Sequence, residues 1–392
     1  MASVDLPWDI TTEILSRLPV KSLMRFKCVS ISFYNLISND PIFRKKHLYH
    51  QSKSFKKAII VPQLFYTYDG GISVFPCPLI SLSPKRDVIE DMIALELQIL
   101  GELSVNNCCN GLFCMTMSKG DAVIWNPTTR QIRTFRSCRL SLPNLPNPRW
   151  IGYSLAHDSR SDVYKLLGLS IYGHNTYKLC FYSMETEMWR YIEESSPCEY
   201  VKYIGNTTIM NGAFHWLGSN EEQFRMPHVV VTLDISDETY GTLALPQGIC
   251  NNLLDPILYE LKGKLCIFSK DSKGLHWDLW VMNEYGDADS IIKMLRMSSA
   301  ELPDKYPWPF DMLEDDTVVI YKPGHIYFYK DGKILNVKSF SRYWFCKNPF
   351  VYFESLVSPD TCLHGKEFNQ KIVPNGFSAT NNRGKDVETN KW

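Results

Sequence analysis

Histidines, cysteines and neighbouring carboxylates are the side chains that would carry chemistry in this chain. His47 and His50 lie three residues apart. On a helix that spacing brings two imidazoles to one side, where a zinc ion would need at least one more ligand. No third ligand lies nearby in sequence, so the pair reads as part of a basic surface. Cys108, Cys109 and Cys114 lead into a strand whose pattern recurs later without cysteine, which marks them as core or edge thiols. His157-Asp158 and His215-Trp216 fall at repeat positions and read as parts of that repeat. Asp234, Asp237 and Glu238 would serve acid–base chemistry if paired, but they sit at a turn, where short polar side chains bond their own backbone. There is no G-x-S-x-G, no G-x-x-x-x-G-K-[ST] and no G-x-G-x-x-G. No catalytic residue, metal ligand or cofactor is expected, and the chain reads as a binding protein rather than an enzyme.

Composition narrows the binding partner. Lys plus Arg and Asp plus Glu both number 42 in 392 residues, a net charge of zero that argues against nucleic acid or an anionic membrane as the partner. A hydrophobic share of 45% against 21% charged is that of a chain that builds cores. Twelve cysteines are scattered from Cys28 to Cys362 without a C-x-x-C, which predicts free thiols in a reducing compartment. No apolar run reaches 18 residues, and Asp5, Pro7 and Asp9 stand where a secretory leader would be basic and then apolar. The expected location is the cytoplasm, the nucleus or both.

The elements change character near residue 55. Ile10, Ile14 and Leu18 recur at helical spacing and Pro19 stops the run; Leu23, Phe26 and Val29 form a second. Phe33, Leu36 and Ile37 make a short third run, and Asp40-Pro41 caps a fourth. So small a helical core is expected to need a partner or a neighbouring domain. Ile14, Leu18, Phe26 and Val29 are predicted to face inward, leaving Leu6, Pro7, Ile10, Leu15, Pro19 and Leu23 for a partner. Beyond Phe55 the pattern is short apolar or alternating runs between turn signals, among them Leu112–Met117, Ala122–Asn126 and Val229–Asp234. Turn-like segments recur at residues 125, 182, 233, 280 and 329, with gaps of 57, 51, 47 and 49. A period near 50 with several strands per unit predicts a kelch-like β-propeller, here of six or seven blades. A late strand at Phe350–Leu356 is placed to close the ring against an early one. The predicted organisation is thus a helical unit over 1–50, an all-β propeller over 55–360 and a disordered tail over 364–392.

Leu6-Pro7-Trp8-Asp9-Ile10, Glu13-Ile14-Leu15-Ser16-Arg17-Leu18-Pro19 and Lys21-Ser22-Leu23-Met24-Arg25-Phe26-Lys27-Cys28-Val29-Ser30 together resemble an F-box. The chain departs from that pattern at Ile31 and Phe33, where the family often has Lys and then Trp, although Phe33 keeps an aromatic. Cys109-Asn110-Gly111-Leu112, Trp125-Asn126-Pro127-Thr128-Thr129-Arg130, Asp162-Val163-Tyr164-Lys165 and Trp280-Val281-Met282-Asn283-Glu284-Tyr285-Gly286 resemble the F-box-associated interaction domain of plants. The segment Glu354-Ser355-Leu356-Val357-Ser358 is similar to the ending of S-locus F-box-type members.

The resemblance implies the substrate receptor of a cullin–RING ubiquitin ligase. Its F-box would dock on a Skp-type adaptor, and its propeller would hold a protein target. Loops carry such recognition, and Pro143–Trp150, with Arg149 and Trp150 as contact residues, is one candidate; Asn220–Pro227 and Ser269–Trp277 are others. A narrower reading is an S-locus F-box-like pollen factor that recognises secreted ribonucleases. A reading from another class is a propeller that binds a glycan or small molecule without a ligase role.

Overall fold

The computed structural model describes residues 6–53, 57–60, 72–81, 89–98, 103–118, 120–137, 150–172, 176–183, 186–192, 196–197, 200–202, 207–219, 229–250, 253–300, 307–322, 325–339 and 349–360. Tyr68-Asp69-Gly70-Gly71, whose sequence reads as an early hairpin, residues 143–149 with Arg149, the segment Asn220–Pro227 and the 364–392 tail lie outside the described residues.

Four helices come first, and proline and capping residues set their limits. Helix α1 (Trp8–Ser16) follows Pro7, and α2 (Val20–Phe26) follows Pro19; neither proline offers a side-chain acceptor to the free amides of the first turn. Helix α3 (Ile31–Asn39) is capped by the Ser30 hydroxyl, which accepts from the Phe33 amide at 3.1 Å. Helix α4 (Pro41–Ser52) is capped by Asp40, whose carboxylate accepts from the Ile42 and Phe43 amides at 2.8 and 3.0 Å. Leu15, Val20, Leu23, Leu36, Ile37 and Phe43 form the core of this module, and Leu356 from the far end of the described chain completes it.

Strands follow in up-and-down meanders. They are β1 (Lys57–Ile60), β2 (Ile72–Ser81) and β3 (Ile89–Gln98); β4 (Leu103–Cys109), β5 (Leu112–Met117), β6 (Ala122–Asn126) and β7 (Gln131–Phe135); and β8 (Trp150–Asp158), β9 (Val163–Tyr172), β10 (Thr176–Ser183) and β11 (Met188–Tyr191). After β12 (Tyr200–Lys202) come β13 (Thr208–Met210), β14 (Ala213–Ser219), β15 (Val229–Asp234) and β16 (Tyr240–Ala244). The last meanders are β17 (Leu254–Leu261), β18 (Lys264–Lys270), β19 (His276–Met282) and β20 (Ile291–Ser298), then β21 (Trp308–Met312), β22 (Val318–Lys322), β23 (His325–Lys330) and β24 (Lys333–Ser339). The closing strand is β25 (Pro349–Tyr352).

Among the described residues this is a β-propeller of five hydrogen-bonded sheets, rather than the six or seven blades expected. The difference has a local cause. Strand β12 bonds to both β10 and β14, and so stitches two four-stranded meanders into one nine-stranded sheet. The ring closes as the sequence suggests: β25 pairs antiparallel with β1, Ala58 opposite Val351. Residues 125, 182, 233, 280 and 329 all fall on the third strand of their meanders, which is why they repeat with a common period.

Local chemistry shapes the turns. Asn110-Gly111, Asn211-Gly212 and Lys262-Gly263 join first to second strands, and both residues of each pair have positive φ, the two-residue hairpin geometry that matches strand twist. The third-to-fourth turns use side-chain acceptors. Asn126 Oδ1 accepts from the amides of Thr128 and Thr129, and Asp234 Oδ1 from those of Ser236 and Asp237. Ion pairs then tie neighbouring meanders: Arg160 reaches Asp234 and Asp237, while Lys165 and Arg190 share Glu238.

The residues with chemical potential are absorbed by this frame. Burial lowers the His215 imidazole to about 4, and its Nε2 lies 2.7 Å from the Tyr285 hydroxyl. Burial pushes the Cys109 thiol up to about 12, and it does the same to Cys266. His47 departs from the expected basic surface. It is buried, burial pulls its imidazole below the ordinary histidine range, and its Nε2 lies 3.0 Å from the Leu18 carbonyl oxygen.

Candidate docking surface on the helical module

Exposed apolar side chains are concentrated on the helices. Of the eighteen large hydrophobic side chains exposed among the described residues, ten lie within 6–53 and eight on everything after it. Leu6 is 60% exposed, Ile31 80% and Ile42 78%. So dense an apolar surface on so short a segment marks a surface made to be covered.

Its geometry comes from the packing of α1 against α4 and of α2 against α3. Trp8 stacks on Phe33 with ring centroids 5.9 Å apart, and Phe26 meets Phe33 edge-on at 6.3 Å. Three helices thus contribute to one aromatic edge, and Phe33 fills the place where the sequence pattern departs from Trp. Ile10 and Ile14 lie one turn apart on the outward side of α1, both exposed.

The inward and outward residues are divided differently from the sequence expectation. Leu6, Pro7, Ile10 and Pro19 are exposed, as a docking role requires. Leu15 and Leu23 are not: they are 4% and 0% exposed and belong to the module's own core. Ile14, Phe26 and Val29, expected inside, are exposed instead. On α1 the apolar residues spread round the helix, with the consecutive Ile14 and Leu15 about 100° apart. Periodicity shows that a face exists, but the core took the side with Leu15, while Ile10 and Ile14 face out.

An ionic cluster holds α1 to α4 beside this surface. Glu13 pairs with Arg17 and with Lys46, and lies 3.8 Å from His50. Hydrogen bonds from Lys46 and then Arg17 bring the Glu13 carboxyl from 4.5 down to about 2. A lowered carboxyl pKa means that the contact stabilises fully above pH 4.5 and fades as pH falls toward about 2. Lys46→Ala is therefore expected to raise the Glu13 midpoint toward 4.5, read from its carboxyl carbon shift in a pH titration; an unmoved midpoint would remove Lys46 as the cause.

The module sits at one end of the propeller. In an up-and-down meander, the first-to-second and third-to-fourth turns share an end. Lys45 pairs at 3.1 Å with Asp162 in the β8–β9 turn, at that end. Of the candidate target-binding segments, the 269–277 turn belongs to the opposite end. It connects a second strand to a third, whereas residues 143–149 and 220–227 lie outside the described residues. Arg149 lies outside the described residues, and Trp150 opens β8 at that opposite end. In the 269–277 turn, the Asp271 carboxylate accepts from the Leu275 amide at 2.9 Å and meets His276 Nδ1 at 2.9 Å, and Leu275 projects outward.

Comparison with known proteins bears on both parts. Residues 4–45 match the family model of the F-box domain, and residues 76–358 that of the F-box associated beta propeller domain. The chain is 26% identical over 310 residues to F-box protein CPR1 of Arabidopsis thaliana, an alignment covering 74% of this chain and 72% of that protein. It is 25% identical over 368 residues to an F-box/kelch-repeat protein of the same plant, covering 91% of this chain and 96% of the relative.

Proposed function

The chain belongs to the family of F-box proteins that carry an F-box-associated β-propeller domain, and from that membership we propose that it is the substrate-recognition subunit of an SCF-type (Skp–cullin–F-box) ubiquitin ligase. The exposed apolar residues Leu6, Pro7, Ile10 and Pro19 dock on a Skp-type adaptor, together with the Trp8, Phe26 and Phe33 edge. Propeller loops hold a protein target. The observation that carries this reading is the apolar surface of the helical module: ten of the eighteen large hydrophobic side chains exposed among the described residues lie within 6–53. A receptor built this way needs no catalytic group. It raises the effective concentration of target lysines near a ubiquitin-charged enzyme. The cytoplasm or nucleus is the proposed compartment, supported by the seven free cysteines among the described residues.

The test is complex formation. Full-length chain mixed with a purified Skp-type adaptor is expected to elute as one complex in size-exclusion chromatography with light scattering. It is then expected to recruit the cullin when that is added. A chain that elutes alone, while a known F-box protein binds the same adaptor, would overturn the assignment.

A further inference from the structure

After the closing strand β25, the chain runs back between the two domains. At one side it holds the propeller. Asn126 is fully buried, and its Nδ2 donates to the carbonyl oxygens of Ser355 at 3.0 Å and Val357 at 2.7 Å. Arg133 donates to the Asp360 carbonyl oxygen at 2.8 Å, and Thr128 meets the Tyr352 hydroxyl. Gly111 passes so close beneath that a Cβ there would lie 2.6 Å from the Ser355 Cβ and 2.7 Å from the Phe353 carbonyl oxygen.

At its other side the same segment holds the F-box. Leu356 is inserted into the helical core. Glu354 Oε2 accepts from the Val20 amide at 3.0 Å. Pro19 supplies no side-chain cap to α2, so Glu354 provides, from another domain, the acceptor that a local cap would ordinarily provide. The Lys45–Asp162 pair makes a separate contact on α4; both side chains are more than half exposed, so that pair alone is worth little.

We propose that residues 353–360 are a docking strap that sets the orientation of the F-box on the propeller, with Glu354 as its positioning residue. The inference rests on the receptor reading for its purpose, since the distance between target and ubiquitin donor depends on that orientation. It rests on the geometry alone for its substance. A helical core completed by Leu356 and a helix start completed by Glu354 cannot both be satisfied once the F-box swings away. The strap therefore turns two domains into one rigid body, and the Glu354–Ser358 segment singled out by its resemblance to S-locus endings has a structural task here.

The test is a pulsed dipolar distance measurement on the full chain, free and bound to adaptor. Spin labels are carried on exposed Asn39 in the F-box and exposed Lys273 at the far end of the ring. They are attached through a non-canonical amino acid so that the twelve cysteines stay untouched. The unmodified chain and Glu354→Gln, which keeps an acceptor, are expected to give one narrow distribution. Glu354→Ala is expected to broaden it at least twofold, and Glu354→Ala with Leu356→Ala further still. Adaptor affinity should change less than twofold for Glu354→Ala, which shows that the F-box stays folded. An unchanged width for Glu354→Ala would overturn the strap. Failure of the unmodified chain to bind adaptor would overturn the receptor reading, while the free-chain distances still decide the strap.

Discussion

Leu6→Ala combined with Pro7→Ala will weaken adaptor binding at least about thirtyfold and leave the protein as stable as before. The binding loss follows from where the two residues lie. Both are exposed ahead of α1, on the most apolar stretch of the described surface. Truncating buried anchors at interfaces costs roughly 2 kcal/mol or more, about thirtyfold in affinity. The unchanged stability follows from the same exposure, since substitutions away from a core stay within about 0.5 kcal/mol. Leu23→Ala is the contrasting control. That side chain is fully buried in the helical core, so its loss is expected to cost about 2–5 kcal/mol and to unfold the F-box before any question of contact arises. Calorimetric titration against purified adaptor, with thermal melts of each variant, separates the two. Adaptor affinity retained by the Leu6 and Pro7 variant would sink the assignment of this surface.

Gly111→Ala will destabilise the propeller far more than the same change at equivalent turns. Gly111, Gly212 and Gly263 have φ of +78°, +74° and +74° in the same first-to-second strand turn. An alanine pays for left-handed backbone with about 1–2 kcal/mol at all of them. Only at Gly111 does a neighbour stand in the way; at Gly212 and Gly263 an added Cβ meets nothing within 4 Å. Displacing Phe353 and Ser355 adds about 1–3 kcal/mol of overpacking. We therefore expect a total of about 2–5 kcal/mol at Gly111 and about 1–2 kcal/mol at Gly212, from urea midpoints followed by tryptophan fluorescence. Equal midpoints for the two variants would mean that nothing is seated over Gly111.

The parts of this architecture legible in the sequence are those written in local chemistry. Pro7, Pro19 and Asp40-Pro41 punctuate the helices, and each stands at the start of one. Asn-Gly pairs and third-strand segments mark the meanders, because a positive φ or a side-chain acceptor has to recur wherever the same turn recurs. What was hidden depends on residues far apart. Leu15 and Leu23 lie inside, in a core that Leu356 joins from more than 300 residues away, and Ile14, Phe26 and Val29 lie outside; a contact so distant in sequence leaves no periodic signal. The partnership of β12 with two meanders was equally illegible: three residues carry too little periodicity to show which strand they join. The docking surface lay in plain view as an excess of apolar residues, but its direction required the fold.

Val20 and Glu354 are separated by 334 positions. A ribosome adding about 5–20 residues per second completes the F-box helices early and the acceptor for Val20 roughly 15–70 s later. Through that interval the newborn F-box has neither its cap nor Leu356. Its apolar surface is exposed beside an open ring whose closing strand has not been made. On the receptor reading, an adaptor met during synthesis would cover these helices before the chain's own last strand is made, and would leave the nascent chain less opportunity to aggregate.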